Sequence, residues 1–382
     1  MNVLLGVLFH FIGGFASGSF YLPFKRVRAW SWESYWIVGG LFSWLAAPWI
    51  AAALTVPGFM GIIQDTPFVT LFWTFVMGLL WGIGGLTFGL SMRYLGLSLG
   101  MSVALGFCSA FGALIPPIYR DVFGINGERF TALFHSPGGR LVLLGAIVCL
   151  LGIAICGKAG MLKEAELSDE KKRASIAEFN LARGLAVATA SGILSACFNF
   201  GIEAGKSMAH LATARGTNPL FQNNVVYVVL LWGGLSTNLI WCMALNYRKR
   251  SFSDYGNRRS PLLNNYLMSA MAGTIWFLQF FFYGMGASKL SNGASSWILH
   301  MAFIIIVSNT WGLLLKEWRG VSRRTFAIVL AGINTILLSV FLVGFGNSFS
   351  AKSGGFQSQS ILAAVFQIGG FMIDHQIDNA SP

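Results

Sequence analysis

Ten nearly uncharged stretches, each close to the roughly 20 residues that span a bilayer as a helix, follow one another along this chain of 382 residues. An α-helix rises about 1.5 Å per residue, so such a stretch matches a hydrocarbon layer of about 30 Å. The stretches fall at 3–23, 35–55, 69–92, 97–118, 141–157, 184–203, 222–246, 262–287, 294–315 and 325–345. They predict an all-α integral membrane protein of ten transmembrane helices. Composition agrees: 10% of the residues are charged and 55% apolar, against about 25% charged in an average soluble domain. A single soluble core stops growing at roughly 250–300 residues, so the bilayer supplies the apolar surroundings.

The net charge of +12 does not mark a nucleic-acid protein, because the basic residues sit in short clusters between apolar runs. Alternating the connections between two sides gathers 19 of the 26 Lys and Arg residues on one side, including the clusters at 25–28, 158–173, 248–250 and 316–324. The richer side is cytoplasmic by the positive-inside rule, which places both termini outside. All five cysteines (Cys108, Cys149, Cys156, Cys197, Cys242) lie in apolar segments without a CxxC pair, so neither a disulfide framework nor a zinc site is expected. The first stretch follows Met1-Asn2 with no basic n-region and no small-residue cleavage site, and reads as a retained helix.

Residues 158–183 hold the longest charged connection and divide the chain into five helices before (1–157) and five after (184–345). An odd number per half makes the halves antiparallel, a 5+5 inverted repeat of the kind that binds substrate near the membrane midplane. Two echoes in matching order support it. Gly14, Ser17 and Phe20 in the first helix recur as Gly192, Ser195 and Phe198 in the sixth; Trp81 with Phe88-Gly89 in the third recurs as Trp276 with Tyr283-Gly284 in the eighth. The segment 346–382 begins polar, and its apolar run at 361–373 is too short to span, so it reads as an interfacial helix or a disordered end.

Ionisable side chains within a membrane are costly and mark candidate sites. His10 and His300 lie at equal depth in their helices, roughly 9 Å from the same side, and an unperturbed imidazole titrates at about pH 6.5; each could instead pack against a backbone carbonyl. His10, Gly14, Ser17 and Tyr21 form a polar, small-residue stripe that suits a site or a close helix contact. Trp276, Gln279 and Tyr283 share a face offering an indole, an amide and a phenol, or lipid-facing aromatics. Glu203, three residues before Lys206, and Glu33, at the start of the second helix, are boundary carboxylates that could carry a proton, with a surface ion pair and helix-end stabilisation as the structural alternatives. Asn199, Asn223, Asn224 and Asn238 could bind hydroxyls or tie helices together. Pro116-Pro117 and the GIGG run at 82–85 both weaken regular helix hydrogen bonding and read as hinges or broken segments, with a simple helix end at Pro116 as the alternative.

The stretches FYLPFKRVRAWSWESYW (20–36), WGIGGLTFGLSMRYLGLSLG (81–100), EFNLARG (178–184), WFLQFFFYGMG (276–286), SWILHMAF (296–303) and LLKEW (314–318) are specific in combination. With them the chain resembles the L-rhamnose/proton symporter family of the drug/metabolite transporter superfamily, up to about residue 345. The resemblance implies ten helices and uptake of a deoxy sugar with a proton across a bacterial inner membrane. It marks His10, Glu33, Arg93, Trp276, Gln279, Tyr283, Trp297, His300 and Lys316 as family-typical positions. Glu203 and FQNN at 221–224 depart from the family pattern, which allows a different sugar preference.

The expected substrate site is therefore Trp276, Gln279, Tyr283, Asn199, Trp297 and Ser17, with His300, His10, Glu203 and Glu33 as proton-coupling candidates. Hydroxyls would meet the polar groups and the sugar's C–H surface an indole. The partners are a sugar, a proton and the bilayer, with no cofactor, metal or nucleic acid. The rivals are a carrier of another small molecule and a membrane enzyme. A nucleotide sugar would want deep basic residues and a lipophilic cation a deep carboxylate; an enzyme would want HExxH, paired Asp or a Ser/His/Asp order. None of these is evident in the sequence.

Overall fold

In the computed structural model, residues 3–95, 97–124, 129–166, 181–290, 293–314, 318 and 320–352 are described. Among them there is no strand, and ten helices are long and apolar enough to cross a membrane. We number these α1 (Val3–Phe24), α2 (Trp32–Thr55), α3 (Phe68–Leu95), α4 (Leu97–Val122), α5 (Pro137–Glu166), α6 (Leu181–Ala204), α7 (Asn224–Lys249), α8 (Leu262–Ala287), α9 (Gly293–Leu314) and α10 (Arg323–Lys352). Short helices Phe59–Asp65, Phe130–His135 and Lys206–Ala214 join some of them at the face where α1 begins.

Three helices run past the apolar stretches read from the sequence. Helix α5 continues from Gly157 to Glu166, so the first part of the 158–183 connection is helical; Lys, Glu, Ala and Leu there are strong helix formers that carry the turns on into water. Helix α6 begins at Leu181 and α10 reaches Lys352, taking in the first residues of the 346–382 segment. Residues 167–180 and the apolar run at 361–373 lie outside the described residues, as do Lys316 and the side chain of Arg93.

Pro116 does not end its helix: α4 passes through Pro116-Pro117 to Val122. A proline offers no N–H to the carbonyl four residues back. That carbonyl, Gly112 O, instead accepts a 2.7 Å hydrogen bond from Asn199 Nδ2 on α6. Helix α3 is likewise unbroken at GIGG, whose Gly82 and Gly84 let α7 and α6 approach: a Cβ at Gly84 would sit 2.6 Å from Ser195 N. Helix α2 carries one π-helical turn, Phe42–Ala46, which rotates the side chains beyond it.

Helix α1 packs on α8 and α9, and α6 packs on α3 and α4. Helix α2 lies on α8 and α7, and α7 on α3; α4 meets α9, while α5 and α10 pack along each other and against α4 and α9 respectively. Small residues set these approaches, as at Gly152 and Gly332 between α5 and α10. At the face opposite the start of α1, the links are polar. Glu33 Oε2 accepts from Lys249 Nζ at 2.8 Å and its Oε1 from Ser251 Oγ at 2.8 Å, while Ser34 Oγ donates to Asp254 at 2.8 Å. Asn265 grips the backbone of Arg28 through both amide atoms, at 3.1 and 2.8 Å, beside Ala29 with its left-handed φ of 57°.

Candidate functional site

His10 and His300 meet. Their ring centroids are 6.0 Å apart, and the Tyr283 ring stands edge-on to both, at 5.4 Å from His10 and 5.1 Å from His300. Glycines make the room: a Cβ at Gly286 would come within 2.7 Å of His10 Nε2, and one at Gly13 within 3.2 Å of His300 Cε1. Both histidines are buried, and His10 Nδ1, His10 Nε2 and His300 Nδ1 are enclosed with no hydrogen-bond partner among the described residues. Polar nitrogens sealed in this way are expensive, so neither imidazole is satisfied by a backbone carbonyl. The pair can take up a proton or a polar ligand.

From this cluster a hydrogen-bonded chain crosses the bundle. Tyr283 Oη donates to Asn199 Oδ1 at 3.1 Å, and Asn199 Nδ2 spends itself on the carbonyl that Pro116 leaves free. Trp297, edge-on to Tyr283 at 5.8 Å, donates its N–H to Cys108 O at 3.0 Å. Asn199 and Trp297 thus tie α8 and α9 to α6 and α4 in this conformation. Asn238 and Asn224 are also ties: Asn238 Oδ1 accepts from Trp36 Nε1 at 3.0 Å, and Asn224 Nδ2 donates to Thr55 Oγ1 at 2.8 Å.

One turn from Tyr283, Gln279 is buried on α8 and makes no hydrogen bond among the described residues. One turn further, half-buried Trp276 enters an aromatic belt, stacked on Phe20 at 4.5 Å and edge-on to Trp36 and Trp44 at 5.1 and 5.5 Å. Ser17 is half-buried one turn of α1 from Gly13, whereas Tyr21 at the end of the stripe is exposed. Gly14 packs on Phe303, so the stripe is a close helix contact as well.

The two carboxylates lie apart from the histidines. Glu203 pairs with Arg120 of α4 and, at 3.7 Å, with Lys206. Glu33 sits in the polar links at the opposite face. Among the described residues no group of three His, Cys, Asp or Glu could hold a metal ion, and all five cysteines are buried and free. Sequence reasoning did not assign Trp81, Trp44 or Phe280 to the centre, nor foresee Arg120 as a partner of Glu203. Trp81 was within reach, since its echo of Trp276 already marked it.

Residues 1–349 match the model of the L-rhamnose-proton symport protein (RhaT) family. The chain is 38% identical over 349 residues to an L-rhamnose-proton symporter of Yersinia pestis, covering 90% of this chain and 98% of that one. A protein of the same description from Salmonella paratyphi B is 39% identical, with the same coverage. With the match running from the histidine of α1 through that of α9 and into α10, the chain belongs to the RhaT family of transport proteins.

Proposed function

We propose that this protein imports L-rhamnose together with a proton, by alternating access across a bacterial inner membrane, with both termini periplasmic. The observation that carries the reading is the buried His10–Tyr283–His300 cluster, with unpartnered nitrogens, beside the open amide of Gln279 and the indole of Trp276. A proton held at the imidazoles and a sugar held on Gln279 and Trp276 would share Tyr283 and the same stretch of α8, so each alters the other's affinity. Linkage makes that effect reciprocal. Trp297, Asn199 and Ser17 complete the sugar's surroundings as α8 and α9 move against α6 and α4. Glu33 and Glu203, each already ion-paired, stand as secondary proton candidates.

We take α1–α5 and α6–α10 as an inverted repeat, the plan that a place in the drug/metabolite transporter superfamily implies. Exchanging each helix for the one five places along reproduces the packing: α1 on α8 and α9 becomes α6 on α3 and α4, and α2 on α8 becomes α7 on α3. Single contacts follow. A Cβ at Gly14 would lie 3.1 Å from Ile304 N, and one at its mate Gly192 lies 3.1 Å from Cys108 N. Phe20 on Trp276 at 4.5 Å has its mate in Phe198 on Trp81 at 5.2 Å.

In liposomes, His10→Gln, His300→Gln and the double variant should keep sugar counterflow while at least one loses proton-driven accumulation. Accumulation with normal pH dependence in all three would remove the histidines from coupling. Gln279→Leu should weaken sugar binding by roughly tenfold or more, since a buried hydrogen bond left unmade costs about 1–3 kcal/mol; unchanged affinity would remove Gln279 from the site. For topology, an impermeant thiol reagent on intact cells should reach a cysteine at Ser353 and not one at Ser168.

A further inference from the structure

Trp81 and Trp276 are mates in the repeat, one on α3 and one on α8, and their rings touch at 6.4 Å. Two residues exchanged by a two-fold axis can touch only at the axis. In an inverted repeat that axis lies in the membrane plane, so this contact marks the midplane. A substrate offered alternately to two sides must rest there. Phe20 and Phe198, also mates, flank the pair on either side.

The π-turn of α2 brings Trp44 to the same point, edge-on to Trp276 at 5.5 Å and to Trp81 at 6.2 Å. Its six-membered ring backs onto Gly40, where a Cβ would come 2.7 Å from Cε3. Nε1 is therefore at the far corner of the indole. That N–H is enclosed, with no hydrogen-bond partner among the described residues, whereas Trp36 and Trp297 have theirs engaged. A buried donor without an acceptor is a cost that a ligand hydroxyl would remove. Trp81 and Trp276 themselves are half-buried, and Gly85, one turn from Trp81 on the same face of α3, is exposed with open space around it.

We infer that the Trp81–Trp276 pair is the platform on which the sugar's apolar C–H and methyl surface stacks, and that the Trp44 N–H is a hydroxyl donor to it. Trp81 and Trp44 are thus specificity-determining residues. This assignment rests on the sugar-transport reading above. A 6-deoxy sugar presents a methyl group where L-mannose presents a hydroxymethyl, so an indole floor favours L-rhamnose over L-mannose.

The test is calorimetric binding of L-rhamnose and L-mannose to the full chain in nanodiscs. Trp44→Phe keeps a ring and removes the donor; it should weaken L-rhamnose binding about fivefold or more. Trp81→Phe should weaken it by about threefold to tenfold and narrow the preference over L-mannose, which a purely structural role would not do. Trp232→Phe, at an exposed indole stacked on Trp49, should bind as wild type. Should a variant fail to fold, fluorotryptophan-labelled wild type provides the second reading: saturating L-rhamnose should shift the Trp44 and Trp81 resonances and leave Trp232 in place. Wild-type binding with both variants unchanged, or with both resonances unmoved, overturns this assignment alone. Wild type that binds no L-rhamnose overturns the functional reading and the assignment with it.

Discussion

The outer and inner halves of the bundle differ most at positions that the proposed repeat makes equivalent. On the side where α1 begins, the outer one in the proposed topology, His10, Tyr283 and His300 meet; their mates on the other, inner side are Ala188, Phe88 and Ala104, which pack together as a small apolar cluster. On the outer side Phe280 is buried against Phe198 at 4.3 Å; its mate Gly85 has no atom near its Cβ position. The Tyr283–Asn199 hydrogen bond has mates in Phe88, which has no hydroxyl, and Tyr21, which is exposed. Between α4 and α5 a groove of about 370 Å³ runs past Gly106, Phe107 and Ala110, whereas their mates Ala302, Phe303 and Ile306 are buried. The helix crossings are shared by both sides, but the polar chemistry and the aromatic plug are not. In the proposed transport cycle, one gate would therefore hold the histidine pair and a specific hydrogen-bonded lock, and the other apolar surface and glycine.

The largest expected effect comes from erasing this difference on the inner side. Gly85→Phe puts the outer plug into the inner half. Burying that ring when the inner side closes is worth about 1.5–3 kcal/mol, a shift of roughly tenfold to a hundredfold toward the inner-closed state. Labelling of a cysteine at exposed Gly89 in inside-out vesicles should slow by a similar factor, and net uptake should fall with it. The native cysteines are all buried and give little background. Unchanged labelling would mean that the open face of α3 is not part of the pathway.

Erasing the difference on the outer side should do less. Tyr283→Phe copies Phe88 and removes the hydrogen bond to Asn199, worth about 0.5–1.5 kcal/mol net. Outer accessibility, read by labelling a cysteine at Met285 in intact cells, should rise roughly twofold to tenfold. A Tyr283→Phe protein with unaltered labelling would place the outer lock elsewhere, with Trp297 on Cys108 O the next bond to test.

Length and hydropathy sufficed for the ten helices, because only a helix satisfies its own backbone across a membrane. The equal depth of His10 and His300 was readable for the same reason: rise per residue is fixed, so counting in from the helix ends is a measurement. What counting does not supply is which helices touch. Pro116 looked like a helix end because its effect depends on Asn199, 83 residues away in sequence, filling the carbonyl it frees. Asn199 could be read as a sugar ligand or as a helix tie, because an amide that ties helices and one that binds hydroxyls are the same residue in a sequence; the structure adds the tie. Trp44 was hidden by the π-turn, which changes the face on which it emerges. Trp81 was visible only as an echo; its meaning needed the contact with its own mate.

The smallest effect belongs to a place where the two halves do not differ. Helices α5 and α10 pack along each other from Gly138 and Gly346 near one face to Glu166 and Ser322 at the other. Glu166 lies just beyond the membrane-spanning part of α5. Its carboxylate accepts from Ser322 N at 2.6 Å, Ser322 Oγ at 2.7 Å and Thr325 Oγ at 2.6 Å, gathering donors at the start of α10. The hydrogen bonds from Ser322 and Thr325 hold its carboxyl below the usual carboxylate range. A depressed folded-state pKa gives stability that is present above the unfolded value, about 4.3 for Glu, and is lost as pH falls through the folded value. Glu166→Gln should therefore lower thermal stability slightly at neutral pH, with the deficit closing as the solution is acidified below that range. Since this seam is closed along its length, the variant should leave both labelling rates unchanged. A Glu166→Gln protein that shifted the labelling at Gly89Cys or Met285Cys would show that the α5–α10 seam moves with the gates, and the comparison of the two halves would have to include it.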